Sequence, residues 1–119
     1  MSFTTWVKSW FSHRGKALSL YRSGMAKANN RDYNGAIADY SAAMRVPHIP
    51  TDVKAMALYN RALAYSAIHE DEKSAEDLMA VLEMPGLPIN IKKEAQERRE
   101  RIRWRNERET DRAAQRKQE

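Results

Sequence analysis

Six arginines near the end of this 119-residue chain, Arg98, Arg101, Arg105, Arg108, Arg112 and Arg116, follow one another at steps of three or four. On a continuous helix such steps gather side chains on one face, giving a cationic stripe with Trp104 at its margin. That chemistry suits a phosphate backbone, with guanidinium groups against the phosphates and the indole as a stacking surface. Arg101, Arg105, Arg108 and Arg112 are therefore candidate contacts for an anion or nucleic acid. Glu100, Glu107, Glu109 and Asp111 are interleaved with them and blunt the field. The competing reading is an ordinary solvated helix rich in Glu and Arg.

Other reactive chemistry is thinly represented. The chain has no cysteine, which excludes disulfides and thiolate zinc sites and permits a reducing compartment, so a cytoplasmic protein is expected. His13, His48 and His69 are far apart without ligand spacing, and no metal is expected. There is no glycine-rich phosphate loop, no nucleophile beside a base, and no carboxylate pair that stands out from the surface acids. The expectation is a protein without catalysis or cofactor. Its net charge of +5 is unevenly placed, with basic ends and a slightly acidic middle. That balance admits an acidic partner: nucleic acid, an anionic membrane or an acidic protein tail.

Stepping of apolar residues identifies the elements that would position these groups. From Tyr33 onward, Ala36, Ile37, Tyr40, Ala43 and Met44 recur at helical spacing on one face. Upstream, Ala17, Leu18, Leu20, Tyr21, Gly24, Met25 and Ala28 spread round more of a helix, as suits one with neighbours on two sides. Asn29-Asn30-Arg31-Asp32 separates the two with turn formers. The unit is a helix hairpin, and it is echoed at a shift of 38. Pro47-His48-Ile49-Pro50-Thr51-Asp52-Val53-Lys54 aligns with Pro85-Gly86-Leu87-Pro88-Ile89-Asn90-Ile91-Lys92, both prolines coinciding. Leu20-Tyr21 pairs with Leu58-Tyr59, and Gly24 with Ala62. Prolines end each second helix, and Asp52 and Asn90 are expected to cap the helix that follows. A fixed period in this range signals stacked repeats.

Between about Lys16 and Pro85 the chain resembles two tetratricopeptide repeats, each four residues longer than the usual unit. Gly24, Tyr33, Ala36, Tyr40 and Ala43 carry the likeness in the first repeat, and Leu58, Ala62, Tyr65, Asp71, Leu78 and Pro85 in the second. Lys27 stands where an aromatic is usual and Ser74 where alanine is. The resemblance implies an all-α fold: helix hairpins stacked as a short right-handed α-solenoid, with capping helices at both ends. The expected organisation is a helix over residues 1–14, a repeat domain over 15–104 with repeats at about 16–47 and 54–85 and a capping helix from 90, and a charged helical extension over 105–119.

The resemblance also implies a concave surface lined by one face of each first helix. Its row would be Leu18, Tyr21, Arg22, Met25 and Ala28, then Met56, Tyr59, Asn60, Leu63 and Ser66. Tyr and Met suit a peptide groove, though the same residues at helical spacing also make an ordinary core. Asn60 matches the residue that donates to a chaperone's C-terminal carboxylate in related repeats. Tyr21 and Met25 stand where such clamps carry their lysine and asparagine, so that grip lacks donors. Arg22, Asn60 and Arg98, 38 apart on successive first helices, form a substitute donor row for an acidic peptide.

At the start, Trp6, Val7, Trp10 and Phe11 give a short helix beginning near Thr4 or Thr5 one strongly apolar face. No apolar run there exceeds two residues, which falls short of the ~7 of a secretory h-region and the ~18 of a membrane span. This helix either caps the first repeat, lies on a membrane surface, joins two copies of the chain or, as its lack of acids allows, serves as an organelle-targeting peptide. Three functions follow: a non-catalytic protein–protein adaptor or scaffold using the concave groove, a nucleic-acid-associated protein using the arginine stripe, and a peripheral membrane adaptor using the Trp/Phe helix.

Overall fold

The computed structural model describes residues 2–119, with the side chains of all of these except residues 6–11. Among the described residues five helices follow one another: α1 (Phe3–Asn29), α2 (Tyr33–Met44), α3 (Thr51–Ala67), α4 (Asp71–Glu83) and α5 (Ile89–Gln118). No strand occurs among the described residues. Each helix packs on the next, and α1 also reaches α3. Neighbours along the chain are thus neighbours in space, which makes a stacked helical-repeat arrangement and an elongated body of 73 × 29 × 20 Å. The Cα radius of gyration is 17.6 Å, against about 13 Å for a compact domain of this length.

The shift of 38 is written into the backbone. Between α1 and α2 the chain turns at Arg31, in the left-handed region at φ 62°, and the N–H of Asp32 donates to the carbonyl of Lys27 at 2.8 Å. Between α3 and α4, His69 also has φ 62°, and the N–H of Glu70 donates to the carbonyl of Tyr65 at 2.9 Å. The two turns are the same turn, and neither uses the glycine that such a φ favours. After the second helices His48 and Gly86 match in the same way, at φ 56° and 78°. Pro50 and Pro88 then precede α3 and α5 with φ/ψ of −59/143° and −55/143°.

Those prolines correct one expectation. They occupy the N-cap positions themselves, because their fixed φ and extended ψ already have cap geometry, and neither helix has a side-chain cap. Asp52 falls inside the first turn of α3, where its Oδ1 accepts the N–H of Val53 at 2.9 Å. Asp32, by contrast, caps α2 by accepting the N–H of Gly35 at 3.0 Å.

Small residues let the backbones approach. Ala17, Ala36, Ala43, Ala57, Ala62, Ala64 and Ala95 are all buried. Tyr40 packs with Ala36 and Ala57 between α1, α2 and α3, while Leu58, Ala62, Leu78, Val81, Ala95 and Ile102 form the core shared by α3, α4 and α5. The two residues that depart from the repeat pattern have work to do. Lys27 lies 3.0 Å from Asp39 and so ties α1 to α2. Ser23 donates to the same carboxylate at 2.6 Å, and that bond, with the Lys27 charge, holds Asp39 below the usual carboxylate range. Ser74 is fully buried and donates to the carbonyl of Ala62 at 2.7 Å, which satisfies its hydroxyl between α3 and α4. Arg61 forks onto both oxygens of Asp77, each at 2.7 Å, and reaches Ser41 at 3.0 Å, joining α2, α3 and α4.

The expected boundary at residue 15 is not an element boundary. α1 runs unbroken through Gly15, since a glycine weakens a helix by only about 1 kcal/mol and no proline stands nearby to stop it. A continuous helix cannot fold back over its own residues 16–29, so the segment before Gly15 extends the first repeat helix instead of capping it. Near that junction Arg14 pairs with Asp52 at 3.7 Å and the rings of His13 and His48 stand 6.2 Å apart. The apolar face of Trp6, Val7, Trp10 and Phe11 lies outside the described residues. At the other end Ile102 is the last buried residue, and every residue after Asn106 is exposed although α5 continues to Gln118.

Candidate partner-binding surface

The first helices α1, α3 and α5 lie side by side and parallel, as their cross-helix hydrogen bonds show. Asn60 Nδ2 donates to the Tyr21 hydroxyl at 3.1 Å, Tyr59 donates to Glu94 Oε1 at 2.9 Å, and Arg105 donates to Ser66 Oγ at 3.2 Å. These partners are separated by 39, 35 and 39 residues, close to the period of 38. The residues expected to line a groove thus stand on three adjacent helices, and the packing puts several of them to other uses.

Tyr21 is half-buried against Tyr40, with ring centroids 5.9 Å apart, and burial pushes its phenol above the ordinary value. Both N–H groups of Asn60 are committed, one to Tyr21 and the other to the Met56 carbonyl at 2.9 Å. Asn60 is thus a strut between α1 and α3, and the donor row Arg22, Asn60, Arg98 is interrupted at its middle. Arg22 and Arg98 are exposed on either side. Met25 and Met56 also face solvent, at 39% and 37% exposure. Such exposure is a large apolar outlay for side chains that a core would hide.

Between α3 and α5 the surface opens into a cleft of about 300 Å³. Its apolar wall is Met56, Tyr59, Leu87, Pro88 and Ile91, and Asp52 and Glu94 stand on its rim. The bond to Glu94 fixes the Tyr59 ring in the wall; burial first, and then that carboxylate, raises the Tyr59 phenol above its ordinary value. Leu63 lies further along α3 in a second cleft of about 490 Å³, with Ser66 and Ala67 below Arg98 and Arg101. Leu87, Pro88, Ile91 and Glu94 stand outside the groove row expected from the sequence. Leu87, Pro88 and Ile91 fall on the repeated connector, so the segment that stops one helix and starts the next also supplies a wall of the cleft.

The arginine stripe is also divided by the packing. Arg105 pairs with Asp71 of α4, so its charge is neutralised and its side chain tethers α5 to the stack. Arg98, Arg101, Arg108 and Arg112 form no ion pair with the described residues. Arg101, Arg108 and Arg112 line an open groove of about 760 Å³ together with Trp104, Arg105 and Glu109. Among the described residues no group of three or more His, Asp or Glu side chains converges as a metal site, and no helix is long and apolar enough to cross a membrane. Comparison with protein-family models, with curated proteins and with solved structures finds no match to this chain.

Proposed function

We propose that this chain is a non-catalytic protein-interaction module of the tetratricopeptide type, a right-handed stack that holds a partner segment along the row formed by α1, α3 and α5. The observation that carries the reading is the cleft walled by Met56, Tyr59, Leu87, Pro88 and Ile91, with Met56 itself 37% exposed at its wall. A cleft of this size suits one apolar side chain, whose burial contributes about 1.5–3 kcal/mol. Methionine adapts to different occupants, while the Tyr59 ring, fixed by Glu94, offers rigid contact area. The stacked helices are already ordered, so the backbone entropy lost on docking is the partner's. The same reading expects the module in the cytoplasm, where a chain without cysteine has nothing to lose to reduction.

The test is selection of peptides from a displayed random library on the full chain, followed by calorimetry of the selected sequences. Tyr59→Ala and Met56→Lys should each weaken the selected peptides about tenfold or more, the equivalent of ~1.4 kcal/mol, with the circular dichroism melt showing that both variants fold. Peptides that bind both variants as tightly as the parent would sink the reading.

A further inference from the structure

We propose that the arginine groove on the distal half of α5 is a binding site for single-stranded nucleic acid, separate from the cleft between α3 and α5. At roughly 100° per residue, Arg101, Arg105, Arg108 and Arg112 fall within about 60° of one another around the helix, with Trp104 on the edge of the same face. Glu100, Glu107 and Asp111 lie about 90° or more away from its centre. Those three acids line a different cleft, against Asp71, Glu72 and Leu82 of α4. Glu109 is the acid that reaches the arginine groove. Helix geometry thus sorts charges that alternate along the sequence, and the field over this face is cationic.

The packing prepares the groove without filling it. Arg105 is tied to Asp71 and Ser66 where α5 leaves the stack, which fixes the direction of the helix at that turn. Beyond it, Arg108 and Arg112 are exposed and carry no ion pair with the described residues. Trp104, 62% exposed, contributes nothing to the core that ends at Ile102. From Arg101 to Arg112 the helix rises about 17 Å, the length of roughly five stacked nucleotides at ~3.4 Å each.

A cationic groove that tracks a backbone, with an aromatic face beside it, is the arrangement that holds single strands without reading sequence. The face lacks the broad apolar strip that seats a helix in a lipid surface, since Trp104 is its one large apolar side chain. An acidic protein segment would use the arginines and leave the indole idle.

Binding of a fluorescein-labelled 20-nucleotide oligo-U to the full chain, followed by anisotropy between 50 and 200 mM salt, tests this. Three free arginines predict a log–log salt slope of about −2, or roughly a 20-fold loss of affinity across that range. Arg108→Gln with Arg112→Gln should reduce the slope to about −0.7. Trp104→Ala should weaken binding about tenfold at unchanged slope, because stacking releases no counterions. Arg112→Gln alone, on the wholly exposed part of the helix, gives the slope test independently of any effect on packing. Absence of saturable binding at 50 mM salt overturns the proposal. So does an unchanged slope in the arginine variants, an unchanged affinity in Trp104→Ala, tighter binding to a 20-base-pair duplex, or equal displacement by polyglutamate of the same charge.

Discussion

At the scale of single residues, two glycines in the same helix have opposite roles. A Cβ built on Gly24 would stand 2.6 Å from Cε1 of Tyr40, a ring that is 1% exposed and has nowhere to go. Gly15 has nothing within 4 Å of that position. Gly24→Ala should therefore lower stability by about 1–3 kcal/mol through overpacking, despite the better helix propensity. Gly15→Ala should raise it by up to about 1 kcal/mol. Urea unfolding of the two variants reads the difference, and a stabilised Gly24→Ala would mean that Tyr40 does not fill the space. The same tyrosine sets an alkaline limit. Burial, followed by the nearby Tyr21 and Asp39 charges, pushes its phenol up to about 12. A raised acid favours its neutral form in the folded state, so the contribution is complete below the unfolded value of ~10 and is lost as pH rises through 12. Stability should hold to about pH 10 and then fall. Tyr40→Phe should flatten much of that fall, leaving the part due to Tyr21 and Tyr59, whose phenols are also raised.

Among the elements, α5 divides at Asn106. Before it, Ala95 and Ile102 are buried against α3 and α4, and Arg105 is paired with Asp71. After it no side chain is covered, and only local terms such as the Arg103 to Glu107 contact at 3.0 Å support the helix. Exposed pairs of this spacing contribute only about 0.3–0.5 kcal/mol. Removal of residues 107–119 should leave the thermal midpoint within about 2 °C, since it takes away almost no burial. A chain ending at Gln96 loses Ile102 and Arg105 and should unfold at markedly lower temperature with a broadened transition. Equal loss from both truncations would show that the distal helix packs on something in solution.

For the molecule as a whole, elongation is a consequence of neighbour-only packing. Each repeat buries its apolar face on the next, and α5 ends the stack without a second helix to complete its unit. Small-angle scattering of the monomer should return a radius of gyration close to 17.6 Å. A value near 13 Å, that of a compact domain of this size, would contradict the stack. Growth of the radius with concentration would instead show copies associating end to end.

The local features of this fold were legible in the sequence because their causes are local. Apolar spacing marked the helices, paired prolines marked the connectors, and the shift of 38 marked the repeat; the matching φ at Arg31 and His69 is that period expressed in the backbone. Gly24 and Ala62, paired at that shift, are small residues at places where the helices pack closely. Tertiary packing decided what the polar residues are for. Asn60 reads as a donor for a ligand and is spent on Tyr21 and Met56; Arg105 reads as one of six equivalent cations and is taken by Asp71. Residue type states what a side chain can bond to. Which partner lies within reach depends on helices far apart in sequence, and so the free cations of α5 and the walls of the cleft emerge only when the stack is assembled.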